Sequence, residues 1–312
     1  MKGLELSRRF YDEYGKEMIE TQFAEYAGRI AVGLAGEGSE CFGFDDDIST
    51  DHDFEPGFCL WITDEDDEKF GFKLERAYSK LPREFFGYKR QILSPMSDNR
   101  HGVIRIGKFY QRFLGAQNAP DSVHRWLYTP SHALACASNG EIFRDDAGIF
   151  SEVRSILNGG YPKDVRMKKI AAHTTLMSQS GLYNYERCIN HGERGAAQLA
   201  VFEFVKHAVS VIFLLNNEYE PFYKWVFRKM RDLPLLSETE KFLVRLTETG
   251  NSDDEFSKKL HIIEDVSNSL ITEYKNLGIA DEHCSTLEQC AFSATNRIKD
   301  PILRNMHIMD GI

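Results

Sequence analysis

GLAGEGSECFGFDDDISTDHDF, residues 33–54, is the stretch on which the reading of the fold turns. It opens at the end of a short apolar run and passes through Gly38-Ser39. It then reaches Asp51-His52-Asp53 and stops just before a second apolar run. A tight Gly-Ser turn can present backbone N–H groups to a phosphate. Two carboxylates at i and i+2 on a strand project to the same face, where they can hold Mg²⁺ or Mn²⁺ beside that phosphate. Taken singly, Gly-Ser marks many loops, and Asp45-Asp46-Asp47 reads as a solvated polar surface. It is the order strand, Gly-Ser turn, connector, Asp-x-Asp, strand that is specific.

Working outward, 29–35 and 57–62 read as buried strands, 103–106 as a third, and 141–143 as a fourth at the sheet edge. Leu6, Phe10, Tyr14, Met18, Phe23 and Tyr26 recur at helical spacing and predict a helix over 3–28. A charged helix is expected over 64–81, with Asp64 as its N-cap and Pro82 just beyond its end. After about residue 150 the strand signals vanish. Helical patterns follow over 165–180, 194–215, 238–249, 254–277 and 286–298, punctuated by Gly159-Gly160, Gly181, Pro221, Pro234, Gly250-Asn251 and Gly278. Leu260, Ile263, Val266, Leu270 and Tyr274 make one apolar stripe. The expected class is α+β: a small mixed-sheet α/β domain over 1–150, then an α-helical bundle domain over 151–312.

Composition narrows the function. The 312 residues are 42% hydrophobic and 28% charged, with a net charge of −10. An acidic chain is a poor sequence-independent binder of long nucleic acid. No run of eighteen apolar residues occurs, and the N-terminus is charged without an apolar signal region, so a cytoplasmic protein is expected. Six scattered cysteines with no Cys-x-x-Cys read as buried free thiols, and the ten histidines form no metal-spaced cluster.

The ordered motif resembles the signature of the nucleotidyltransferase superfamily that includes DNA polymerase beta and kanamycin nucleotidyltransferase. Beyond it, GLAGEGSECFGFDDDISTDHDFEPGFCLW (33–61), HGVIRIGKFYQRFLG (101–115), NGEIFRDDAGIF (139–150), SGLYNYERC (180–188) and YEPFYKWVFR (219–228) resemble a bacterial family of predicted nucleotidyltransferases. That family carries a domain-of-unknown-function designation and has a helical C-terminal half; the likeness runs over about 25–310. The resemblance implies that Gly38 and Ser39 contact the triphosphate of a nucleoside triphosphate and that Asp51 and Asp53 ligate divalent ions. An acceptor hydroxyl, on a small molecule or a protein, would then attack the α-phosphate with pyrophosphate leaving. One departure stands out. Active members place a third carboxylate on a later strand, where this chain has Arg105, which can instead neutralise an aspartate or bind phosphate. The rival expectation is therefore a degenerate nucleotide-binding or protein-interaction pseudoenzyme.

Further candidates carry two readings each. Lys206 and Lys224 can reach the triphosphate as point charges or remain solvated. Tyr183, Tyr185 and Arg187 can line an acceptor pocket or pack the bundle. His52 reads as a core histidine, and Lys168-Lys169 as a charged helix face.

Overall fold

The computed structural model describes residues 1–51, 54–90 and 100–312, with only the backbone at Thr50 and Asp51. It is a mixed α+β structure, 63% helical. Its strands, in chain order, are β1 (Ala31–Leu34), β2 (Cys59–Ile62), β3 (Glu84–Phe85), β4 (Tyr88–Lys89), β5 (Gly102–Arg105) and β6 (Glu141–Arg144). Four form a mixed sheet of order β5-β2-β1-β6, and β3 and β4 make a separate two-residue hairpin ladder. β1 runs antiparallel to β2 and β6, while β2 runs parallel to β5. The edge position expected for the fourth strand is occupied by β6.

The chain divides into two compact units. The first is 1–121 with 132–159, and the second is 122–131 with 160–312.

In the first unit β1 and β2 are buried along their whole lengths, which is why they read as continuous apolar runs rather than alternating ones. One core cluster joins Val32, Leu60 and Ile62 to Leu6, Phe10 and Leu74. Trp61, which alternates with Leu60 and Ile62, stacks on Phe150 at 4.0 Å and meets Phe109 edge-on at 5.5 Å. The first helical segment ends at Gln22 rather than 28 and contains a π turn, Tyr11–Gly15. The charged helical segment starts at Asp64, but its N-cap is Thr63, whose hydroxyl accepts from Asp66 N at 3.2 Å. The correction follows from geometry: the capping residue stays extended, as Thr63 does at ψ 164°, while Asp64 is already in the helix.

In the second unit the helix Arg194–Leu215 is at the centre, with Phe204, Ala208, Val211 and Ile212 fully enclosed. It is long and apolar enough to cross a membrane, and 67% of its most apolar window is buried inside the protein. The break expected at Gly181 does not occur. Lys163–Met177 continues through a π turn, Ser178–Asn184, into Tyr185–Asn190. A Cβ at Gly181 would overlap the buried Phe204 ring, so this glycine serves close helix packing rather than termination. Lys168 and Lys169 are also not a solvated face: both are buried. Lys168 Nζ donates to the carbonyls of Met306 and His307, and Lys169 Nζ to that of Gly311 at 2.8 Å.

Candidate active site

The turn that leaves β1 is built from residues that tolerate unusual backbone. Gly36 and Gly38 have φ of +113° and +116°, a region closed to ordinary side chains. The Asn139 amide clasps Gly36 on both sides: Gly36 N donates to Oδ1, and Nδ2 donates to Gly36 O, each at 2.8 Å. A Cβ on Gly38 would collide with the Arg100 guanidinium, so the glycine lets that cation lie on the turn. Arg100 donates to Glu37 O at 2.5 Å and pairs with the Glu40 carboxylate. Ser39 starts the 3-10 turn Glu40–Phe42, and its carbonyl accepts from Phe42 N at 3.2 Å and Phe44 N at 2.8 Å.

The acidic run beyond this turn is not a uniformly solvated surface. Asp45 is 2% exposed and accepts from Gly3 N at 2.7 Å. Asp46 Oδ1 accepts from Ile48 N at 3.2 Å and Ser49 N at 3.1 Å, holding the turn Ile48–Asp51. Asp45 Oδ2 and Asp46 Oδ1 thus accept from backbone N–H groups. Asp51 closes that 3-10 turn and does not lie on a strand, since β2 begins only at Cys59. The same-face argument for strand carboxylates therefore does not apply to it. The Asp51 side chain, His52 and Asp53 lie outside the described residues.

Arg105 ends β5 and leads into the helix Ile106–Leu114. Its guanidinium pairs with Asp64 at 3.1 Å and reaches Asp67 at 3.8 Å. Among the described residues, the carboxylates paired with it come from the helical segment after β2. Beside it is a cavity of about 560 Å³ in the first unit, into which four cations converge: Arg100, Arg105, Lys108 and Arg112. Glu37 and Asp67 are its acidic lining residues, and the turn contributes Gly36. Gly38 and Ser39 do not line it. Arg112 pairs with Glu37 at 2.6 Å, whereas Lys108 makes no ion pair among the described residues. Lys108 and Arg112, four apart on one helix, share a face. Their spacing in IGKFYQRF was the available signal for them, but sequence reasoning singled out only Arg105 of the four. Nearby thiols are inert: burial pushes Cys59 up to about 12, and does the same to Cys136.

The remaining candidates belong to the second unit. Lys206 is exposed and sits 3.6 Å from Glu203 on its own helix. The Lys224 ammonium lies 4.4 Å from the centre of the Trp225 ring. Tyr185 is buried against Phe256, while Tyr183 is exposed with its hydroxyl 3.3 Å from Arg187. The three residues of the SGLYNYERC segment therefore do not share one environment.

Residues 126–226 match the family described as "Domain of unknown function (DUF4037)". That match agrees with the sequence resemblance to a family carrying such a designation. It takes in NGEIFRDDAGIF and SGLYNYERC and lies outside 33–61. By structure the chain is similar to a nucleotidyltransferase-like protein from Exiguobacterium sibiricum 255-15. The TM-score is 0.38 at 12% identity, covering 84% of this chain and 78% of that one. No curated protein matches the sequence.

Proposed function

We propose that this chain is a Mg²⁺-dependent nucleotidyltransferase that moves a nucleotide monophosphate, in the simplest case AMP from ATP, to a hydroxyl of a small molecule or protein. The observation that carries the reading is the cavity in the first unit. Four cationic side chains and a glycine turn in left-handed backbone converge on about 560 Å³, a volume suited to a small polyanion. In sequence, the Gly38-Ser39 to Asp51-x-Asp53 motif follows directly on the lining residues Gly36 and Glu37.

Arg100, Lys108 and Arg112 would orient and neutralise phosphate oxygens, the arginines as bidentate donors and Lys108 as a point charge. The acidic lining residues Glu37 and Asp67 already face arginines, so the described donor set suits a polyanion better than a bare cation. Asp51 and Asp53 would hold Mg²⁺, for which carboxylate and phosphate oxygens are fitting hard ligands. Bound there, the ion would offset charge on the reacting phosphate. Holding the α-phosphate in line with an acceptor hydroxyl would then be the chain's main contribution to rate.

A second reading rests on Arg105. Its pairs with Asp64 and Asp67 occupy the strand end where the resemblance implies a third carboxylate, which favours a site that binds nucleotide without transferring it.

Calorimetric titration with ATP, GTP, CTP and UTP, with and without Mg²⁺, tests both. Metal-dependent binding of one nucleotide, lost in Asp51→Asn/Asp53→Asn, supports the transferase and names its donor. Binding indifferent to metal and to both aspartates supports the second reading. No binding of any nucleotide removes both. Lys108→Ala should weaken nucleotide binding about tenfold, and raising salt should weaken it in the wild type, because exposed charge attraction is screened.

A further inference from the structure

Cysteine and histidine spacing predict no zinc site, yet among the described residues the second unit gathers one set of soft and hard donors in a single turn. After the helix Asp253–Asn276 the chain turns through 278–286 and enters the helix Leu287–Asn296. Asp281, His283 and Cys284 each bring a ligand atom to within 4.8 Å of the other two. Cys284 is 2% exposed. Asp281 and His283 face solvent and leave an entry path.

The turn is held before any ligand arrives. Cys284 N donates to Asp281 O at 3.0 Å. Asp281 N donates to Ser293 Oγ at 3.1 Å, and Ser293 Oγ donates back to Oδ2 at 3.0 Å. Arg297 donates to Asp281 Oδ1 at 2.7 Å and to Gly278 O at 2.8 Å. Ser285 N donates to Gln289 Oε1 at 2.7 Å. Each Asp281 oxygen keeps a further lone pair, and these outer partners fix the carboxylate as second-layer groups do in built metal sites.

We propose that Asp281, His283 and Cys284 bind a zinc-type divalent cation in this turn, with a water in the fourth position. An O, N, S set with one open position suits zinc. Magnesium and calcium take oxygen alone. With zinc–sulfur near 2.3 Å and zinc–nitrogen near 2.0 Å, tetrahedral ligands stand roughly 3.3–3.8 Å apart. The cluster reaches this by a small contraction, which the exposed His283 ring can supply by rotation. Binding displaces the Cys284 thiol proton as one sulfur–metal bond forms.

The test uses the full chain, reduced and stripped with chelator, titrated with Co²⁺ under anaerobic conditions. One equivalent should give thiolate-to-cobalt charge-transfer and tetrahedral d–d bands, and Zn²⁺ should bleach them. Cys284→Ser should abolish the bands, and His283→Ala, at an exposed position that leaves the core intact, should weaken binding at least tenfold. A spectrum of hexa-aqua cobalt alone overturns the proposal. So does a wild-type spectrum that survives in both variants.

Discussion

Gly181 shows how one residue type carries two meanings. In sequence a glycine between helical patterns reads as a stop, because its backbone entropy weakens a helix. In the structure it lies inside a continuous helical segment, and its missing Cβ is what Phe204 packs against. Gly181→Ala should destabilise the protein by about 1–3 kcal/mol, measured by urea unfolding, since an added methyl in a packed core forces neighbours to shift. If the glycine mattered only as a helix weakener, alanine would stabilise instead, and the sign of the change separates the two. Lys168 and Lys169 teach a related lesson. Their charge suggested solvent, but carbonyls at 306, 307 and 311 satisfy them, and burial pulls the Lys169 ammonium down to about 8. Those partners lie more than 130 residues along the chain, beyond any local pattern.

Among elements, the four strands of the mixed sheet were legible because β-branched and aromatic residues concentrate between turn residues, in β1 and β2 as continuous buried runs. Helix ends were less legible. The segment beginning at Asp64 is fixed by Thr63 and by Asp66, a fully buried carboxylate that Arg29 grips through Nε at 3.1 Å and Nη2 at 2.8 Å. Nothing local marks Asp66 as buried among the acids of TDEDDEKF; the cation that compensates it comes from the residues just before β1. Arg29→Ala should cost about 2–3 kcal/mol by leaving that carboxylate enclosed without its cation, somewhat less than for a fully buried pair because Arg29 is half-exposed. Thr63→Ala should cost about 1 kcal/mol through the lost cap. Thermal or denaturant midpoints check both, and equal costs for the two would contradict the argument.

At the scale of the whole molecule, the second unit has a polar network in its apolar interior. His173 Nδ1 and His207 Nδ1 stand 2.9 Å apart, with one ring the donor and the other the acceptor. Desolvation holds His173 well below the usual histidine value, helped by His207 and Lys169. It holds His207 down to about 4, helped by Lys206 and opposed by Glu203. Both rings are therefore neutral in the folded protein near pH 7. The unfolded chain takes up their protons as pH falls below about 6.5, while the folded chain resists until about 4 at His207. Stability should accordingly drop with falling pH across that window, by ~1.4 kcal/mol per pH unit for each proton taken up only on unfolding. Urea midpoints measured from neutral to mildly acidic pH should show this slope, and His207→Gln should make it shallower. An unchanged slope in the variant would mean the titration lies elsewhere.

What the sequence determined by itself was the local and periodic: the α+β class, the apolar runs that become β1 and β2, and the Gly-Ser turn whose positive φ only glycine admits. These follow from short-range sterics and from the 2.0 and 3.6 periodicities, which any window of the chain carries. Tertiary structure decided the rest. It brought Arg100 and Arg112 onto the β1 turn, gave Arg105 its partners Asp64 and Asp67, and enclosed Asp45 against Gly3. The connector closes into a 3-10 turn at Asp51 through its neighbour Asp46, where an extended strand was expected. For the charged groups the physical reason is shared. A charge or a short acidic segment has many local conformations of nearly equal energy, and only partners distant in sequence, packed around it, select one.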